Sequence, residues 1–399
     1  MERSAPRVVE LSASAPEPGG WIGAAPSRTQ VLAALVVGCV GVLVAGLQPV
    51  LLGSLQAAGR ITAAELGHAA TLELLALGLG AGLSGTLLEG RRLKPVVIAA
   101  GLIYALANVM TLGVRGEMLT LVRGLAGLPG GVMIWVATEM IVRSPTPTRW
   151  AGIYLAVQTL AQLAVASALA LFGPTSTTIA PLSMAALGGV ALLAAFALPR
   201  AFEPLEREPT ASGLPPPRGW AVLTAVVLVN ACIVGAWVYL EPLGAQAKIP
   251  HAVVALATPL SLAMQILGAG CAVVLAGRIP WFGALAVAAV VLIAATLGLS
   301  LLPGAMPFLL LQAVFGFVWL FILPYFVPLA IEADPTRRTA LLGNAANLIG
   351  SAAGPLAASM LVGDSDARAA LHLCAGFAFA GLVLIIGLHL TGRRALSAA

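Results

Sequence analysis

Twelve long apolar stretches run through this chain, near 30–54, 69–88, 95–113, 117–142, 150–172, 178–198, 219–243, 251–276, 280–302, 306–331, 339–362 and 367–391. Each is close to the ~20 residues that carry a helix across a bilayer. Apolar residues follow one another without alternation, so helices rather than barrel strands are expected. Of 399 residues, 60% are hydrophobic and 9% charged, where a water-soluble chain carries roughly 25% charged. Burial in a soluble core cannot absorb so many long runs. The predicted fold class is an all-α integral membrane protein.

The net charge of +5 is spread unevenly. With the N-terminus inside, the inner loops and termini hold Arg3, Arg7, Arg28, Arg91, Arg92, Lys94, Arg143, Arg149, Arg200, Arg207, Arg218, Arg278, Arg337, Arg338, Arg393 and Arg394. The outer loops hold only Arg60, Arg115, Lys248 and Arg368. This bias predicts that both termini are cytoplasmic. No basic face or domain exists, which argues against nucleic acid as a partner. Cys39, Cys232, Cys271 and Cys374 all lie in predicted spans without metal-ligand spacing, so they read as small packing residues. Scarce lysine beside abundant Ala, Gly and Arg suggests a GC-rich bacterial genome, hence a bacterial inner membrane.

Residues 1–28 are rich in Pro, Ser and Ala and contain no cleavable signal, and are expected to form a disordered cytoplasmic tail. One long polar stretch, 199–218, closes on Pro215-Pro216-Pro217-Arg218. It reads as a cytoplasmic linker between bundles at 29–198 and 219–392, with a short tail at 393–399.

The two bundles echo each other. Cys39 precedes Gln48-Pro49 in span 1 as Cys232 precedes Glu241-Pro242 in span 7. Gly80-Ala81-Gly82 in span 2 matches Gly268-Ala269-Gly270 in span 8, and Pro147-Thr148-Arg149 matches Pro335-Thr336-Arg337. Repeated features in one order at nearly one offset mark a duplication.

Two local motifs accompany it. The loop after span 2 reads Gly85-Thr86-Leu87-Leu88-Glu89-Gly90-Arg91-Arg92, and span 4 reads Arg123-Gly124-Leu125-Ala126-Gly127. With six plus six spans and a central linker, the chain resembles the major facilitator superfamily over nearly its whole length. The loop resembles that family's Gly-Leu-acidic-Gly-Arg signature, departing by Glu for the usual Asp and by a shorter loop. Span 4 resembles its Arg-x-x-x-Gly motif. Gly350-Ser351-Ala352-Ala353-Gly354-Pro355 in span 11 resembles a Gly/Pro motif of exporters, which the family places in span 5. The resemblance implies two bundles rocking about a cavity lined by spans 1, 4, 7 and 10.

A charge near the bilayer centre costs at least ~2.5 kcal/mol, so embedded ionisable residues are the first site candidates. Arg123 in span 4, Glu73 in span 2 and Glu241 in span 7 all fall in the outer third, with Gln48 of span 1 at the depth of Glu241. A proton-coupling cluster of Glu73, Arg123, Gln48 and Glu241 is expected. A carboxylate meeting and leaving an arginine would release and load a proton. The alternative places the carboxylates at the headgroup boundary with Arg123 snorkelling outward.

Gly85, Glu89, Arg91, Arg92 and Glu139 are expected at a cytoplasmic gate, although an i,i+4 pair with Arg143 explains Glu139 as well. Span 10 carries Phe308, Phe315, Phe317, Trp319, Phe321, Tyr325 and Phe326, with Pro324 and Pro328 to bend it. Asn230, Gln312, Phe315, Trp319, Gln158, Asn344 and Asn347 are expected to line the substrate cavity, or else to bond and pack between helices.

These features predict a monomeric secondary transporter, using neither cofactor nor metal, for a small organic, apolar or amphipathic molecule. Proton-coupled efflux is the first expectation and proton-symport uptake the second. An embedded enzyme would need a clustered acidic, His or metal-ligand motif at one membrane face. Direct ATP use would need a phosphate-binding glycine loop.

Overall fold

Ser27 starts the first helix. Its hydroxyl accepts from the Gln30 amide while the Gln30 side chain accepts from the Ser27 amide, a reciprocal cap that ends the extended segment before it. The computed structural model describes residues 20–88, 91–172, 176–203, 214–335, 338–362 and 366–397. Its helices are α1 (Arg28–Ala57), α2 (Ala63–Leu87), α3 (Leu93–Met110), α4 (Gly116–Val142), α5 (Pro147–Phe172), α6 (Ser176–Ala195), α7 (Pro217–Val238), α8 (Leu240–Gln246), α9 (His251–Leu275), α10 (Trp281–Ser300), α11 (Ala305–Ile322), α12 (Phe326–Ala333), α13 (Arg338–Leu361) and α14 (Arg368–Ser397).

Among the described residues, eleven spans are long and apolar enough to cross a membrane, α11 and α12 counting as one. The expected span 11 is the one outside that set. Its helix, α13, is present, but Asn344, Asn347, Ser351 and three glycines dilute its apolar surface.

Expected spans 7 and 10 are each interrupted. Tyr239 breaks the first into α7 and α8. In the second, Pro324 stands in a 3-10 turn at Leu323–Tyr325 between α11 and α12, where the missing proline donor and its ring disfavour continuous α-helix. Expected span 2 begins at Ala63 rather than 69. Thr62 and Glu65 form a capping box ahead of the apolar run, so the helix starts before the hydrophobicity does.

The helices form two groups with the same internal pattern. In the first, α1 packs on α4, α5 and α6, α2 on α4, and α3 on α4 and α6. In the second, α7 packs on α13 and α14, α9 on α11, and α10 on α11 and α14. The groups meet reciprocally through α2 with α13, α5 with α9, and α1 with α7 and α8, as a pseudo-twofold requires.

Glycines set the closest approaches. A Cβ on Gly80 would overlap the carbonyl of Leu128, and one on Gly268 the carbonyl of Phe317, so matching glycines pin α2 to α4 and α9 to α11. The exporter-like glycines have the same role. A Cβ on Gly350 would overlap the Val227 carbonyl and one on Gly354 the Ala231 carbonyl, so these residues let α13 lie against α7.

The segment 20–27, expected to belong to a disordered tail, is packed. Trp21 lies 6.2 Å from Trp150, ring to ring, and the Ile22 amide donates to the Arg143 carbonyl. Arg143 also donates from Nε to the Glu203 carbonyl at 2.8 Å and lies over the Phe202 ring. Leu93 donates to the Arg200 carbonyl. The N-terminal segment, the start of α3, the end of α4 and the linker's first residues therefore share one end of the molecule, called here the linker end.

Candidate functional site

Arg123 and Glu73 form an ion pair in which neither side chain is exposed to solvent. Arg123 Nη2 donates to Glu73 Oε1. Nη1 donates to Asn108 Oδ1 at 2.9 Å and to Thr111 Oγ1 at 3.3 Å. Asn108 and Thr111 donate in turn to the carbonyls of Tyr104 and Ala107 one turn back. Gln48 Nε2 donates to the Ala70 carbonyl at 3.4 Å and lies beside Glu73.

Helix packing explains the pairing. A Cβ on Gly127 would overlap the Glu73 carbonyl, so this glycine brings the α2 backbone onto α4 with Arg123 one turn away on the same face. Glu73 lies ten residues from Ala63, about 15 Å along the helix. Neither Glu73 nor Arg123 reaches solvent in this arrangement, so for these two the pairing replaces headgroup solvation and snorkelling. The predicted cluster missed Asn108 and Thr111, although Asn108 is a polar residue within an apolar span.

Glu241, expected in the same cluster, stands elsewhere. It opens α8 and packs against α1 at Gly53, where an added Cβ would lie 2.6 Å from the Glu241 Cβ. Gln48 and Gly53 are five residues apart on α1, about 140° around the helix, so Glu73 and Glu241 meet different faces of it. Val50, Leu169, His251, Val254 and Thr258 share a small recess with Glu241. No hydrogen bond or ion pair holds its carboxylate among the described residues.

A cavity of about 450 Å³ lies toward the linker end. Leu155 of α5 contributes from the first half; Val222, Leu223 and Val226 of α7, Pro324, Phe326 of α12, and Asn344 and Asn347 of α13 contribute from the second. Of the expected lining, Asn344 and Asn347 are there. Asn230 is buried against Gly350 with its amide donating to the Val226 carbonyl. Gln312 is buried and takes up the Ser261 hydroxyl through its carbonyl at 2.8 Å and Oε1 at 3.4 Å.

Phe315 and Trp319 stack edge-on with each other and Trp319 with Trp237, forming an aromatic cluster rather than a cavity wall. Gln158 is half-buried one turn from Leu155 and does not line the space. Spans 1 and 4 contribute no described lining residue; α1 and α4 pack closely on each other at Gly41 and Gly130.

At the far end the halves are tied together. Trp237 Nε1 donates to the Ala45 carbonyl at 3.2 Å, the Tyr239 hydroxyl to the Ala63 carbonyl at 3.1 Å, and the Thr71 hydroxyl to the Ala352 carbonyl at 3.2 Å. Each bond crosses from one half to the other.

Of the expected cytoplasmic gate, Glu139, Arg91, Arg92 and Gly85 are among the described residues. Glu139 Oε2 pairs with Arg143 and its Oε1 accepts from Trp135 Nε1 at 3.0 Å. Arg91 and Arg92 are exposed, Arg92 with φ 55 before α3, and Gly85 faces the Trp135 ring. Glu89 lies outside the described residues. Asp334 is buried and accepts from the Thr339 amide and hydroxyl at 3.0 Å each.

No protein-family model and no curated protein matches the chain. Solved structures do. A point mutant of the nucleoside transporter NupG is similar with TM-score 0.73 at 14% identity, over 90% of this chain and 99% of that one. NupG itself gives 0.68 at 14%, over 91% and 99%. A bacterial homolog to the human lysosomal transporter Spinster, in an inward-facing and unoccupied conformation, gives 0.55 at 14%, over 92% and 96%. The likeness shows the fold, which this chain shares with those transporters.

Proposed function

We propose that the chain is a secondary transporter that moves a small organic molecule across a membrane by alternating access, coupled to protons. The observation that carries this reading is the cavity of about 450 Å³ at the boundary of the halves, placed toward the linker end while hydrogen bonds between the halves close the other end. With the linker cytoplasmic, as the charge bias suggests, this is an inward-open arrangement. The similarity to transporters of the same fold supports the reading.

Glu241 is the better proton carrier of the two expected carboxylates. Glu73 and Arg123 both belong to the first half, so rocking of rigid halves does not part them. Glu241 belongs to the second half and rests on Gly53 of the first, so the same motion changes its surroundings. His251 is the other titratable group in that recess. Export was expected from the glycines of span 11, but these pack α13 on α7, so transport is proposed without a direction.

The test is substrate-driven proton flux in proteoliposomes carrying a pH dye, after a ligand screen by thermal shift. Flux with the unaltered protein and its loss in Glu241→Gln, with substrate binding retained, is the expected result. Equal flux in the variant would remove Glu241 from the coupling. Ligand binding without passage across the bilayer would remove transport itself.

A further inference from the structure

The cavity's chemistry narrows what enters it. Its volume, about 450 Å³, falls in the range of small-molecule sites. None of its described lining residues is Asp, Glu, Lys, Arg or His. A charged ligand would meet no counter-charge on this lining, and whatever water it shed there would cost more than for a neutral polar group. Thr339 also lines the space, but its hydroxyl is committed to Asp334. The two carboxamides of α13 are the polar groups left.

Those carboxamides are three residues apart on one helix and so project from one face. The Ser351 hydroxyl donates to Asn347 Oδ1 at 3.3 Å, which leaves the Asn347 amide hydrogens for the cavity. Asn344 has no partner among the described residues, so it offers a donor and an acceptor. Phe326 and Pro324 add flat apolar surface at the break between α11 and α12. A planar edge with adjacent hydrogen-bonding atoms is what a carboxamide pair matches, as Asn and Gln do with the edge of adenine.

We propose that the ligand of this cavity is an uncharged, flat heterocyclic molecule of roughly nucleoside size, held by Asn344 and Asn347 through one hydrogen-bonding edge. This rests on the transporter reading. The test uses the full chain in nanodiscs, titrated calorimetrically with uridine, adenosine and nicotinamide, with uridine 5′-monophosphate, and with the lipophilic cations ethidium and tetraphenylphosphonium. Transport of the same probes is followed in proteoliposomes.

Saturable binding of at least one neutral heterocycle is expected, with affinity lowered about tenfold or more in Asn347→Leu, a loss within reach of one or two buried hydrogen bonds. Asn347→Gln, which keeps the carboxamide, should lose less, and both variants should unfold at the temperature of the parent. Binding and passage of the cations, with the neutral probes unbound, would overturn the ligand class and leave the transporter reading standing. Equal binding of uridine and its monophosphate, or no effect of Asn347→Leu, would also overturn it. Failure of every neutral heterocycle to bind would overturn the ligand class and leave the transporter reading to its own flux test.

Discussion

Gln312 stands in the second half where Arg123 stands in the first. Each precedes by four residues a glycine, Gly316 or Gly127, whose missing Cβ admits the backbone of the facing helix at Ser261 or Glu73. Where Arg123 meets Glu73 as an ion pair, Gln312 meets the hydroxyl of Ser261. Duplication has kept the packing and divided the electrostatics: one half carries a buried charge pair and the other a neutral one.

This equivalence predicts how the pair behaves when dismantled. Arg123→Gln or Glu73→Ser alone leaves one buried charge without its partner and should destabilise by ~3–5 kcal/mol. The double variant copies the Ser261–Gln312 arrangement and should recover most of the loss. Thermal unfolding of the two singles and the double in one detergent gives the coupling; simple additivity would mean the groups do not interact as described.

The close-approach glycines predict a position-dependent series. Gly127→Ala and Gly316→Ala set a methyl against a backbone carbonyl and should destabilise by ~1–3 kcal/mol through overpacking. Gly270 has nothing within 4 Å of its missing Cβ, so Gly270→Ala should be neutral or stabilise by up to ~1 kcal/mol. Comparable losses at all three positions would contradict the assigned helix contacts.

Gly53 makes a separate prediction about the far end. Gly53→Leu cannot fit beneath Glu241 in the closed arrangement and should prop the halves apart there. Ser359, buried where Gly67 and Tyr239 meet, reports on this. In a background with the native cysteines replaced, Ser359→Cys should react faster with a water-soluble maleimide when Gly53→Leu is present. An unchanged rate would show that Gly53 has no part in closure.

Asp334 should act as a cap. Asp334→Ala removes the acceptor of the Thr339 amide and hydroxyl ahead of α13, a loss of ~0.5–2 kcal/mol. Asp334→Asn keeps an acceptor and should cost less. Unfolding temperatures of the two variants decide, and equal effects would assign Asp334 to something other than capping.

The spans and their duplication were legible because length and continuous apolarity are themselves the physical demand of a bilayer. Caps shifted their ends: Thr62 and Glu65 carry α2 beyond its apolar run. Arg123 and Glu73 stood out because charge is costly in such a helix. Asn108 and Thr111 did not, since isolated amides and hydroxyls in apolar helices are common and only the fold brings them to Arg123.

Glu241 separates from the cluster because equal depth does not fix which face of α1 a neighbouring helix meets. The cavity was least legible. Pro324 and Pro328 announced a bend, but which residues face the cavity, Asn344 and Asn347 of α13 among them and Phe315 and Trp319 of α11 not, depends on how the helices pack.

Reciprocal opening of the two ends is tested most directly by paired distance measurements between spin labels. One pair joins Ala58→Cys with Lys248→Cys at the far end; the other joins Arg91→Cys with Arg278→Cys at the linker end, all exposed positions. Alternating access predicts a second, longer distance for the far-end pair, growing in proportion as a shorter distance grows for the linker-end pair when pH or ligand is changed. Single distance distributions at both ends, unmoved from pH 5 to pH 8 and by a bound ligand, would contradict it.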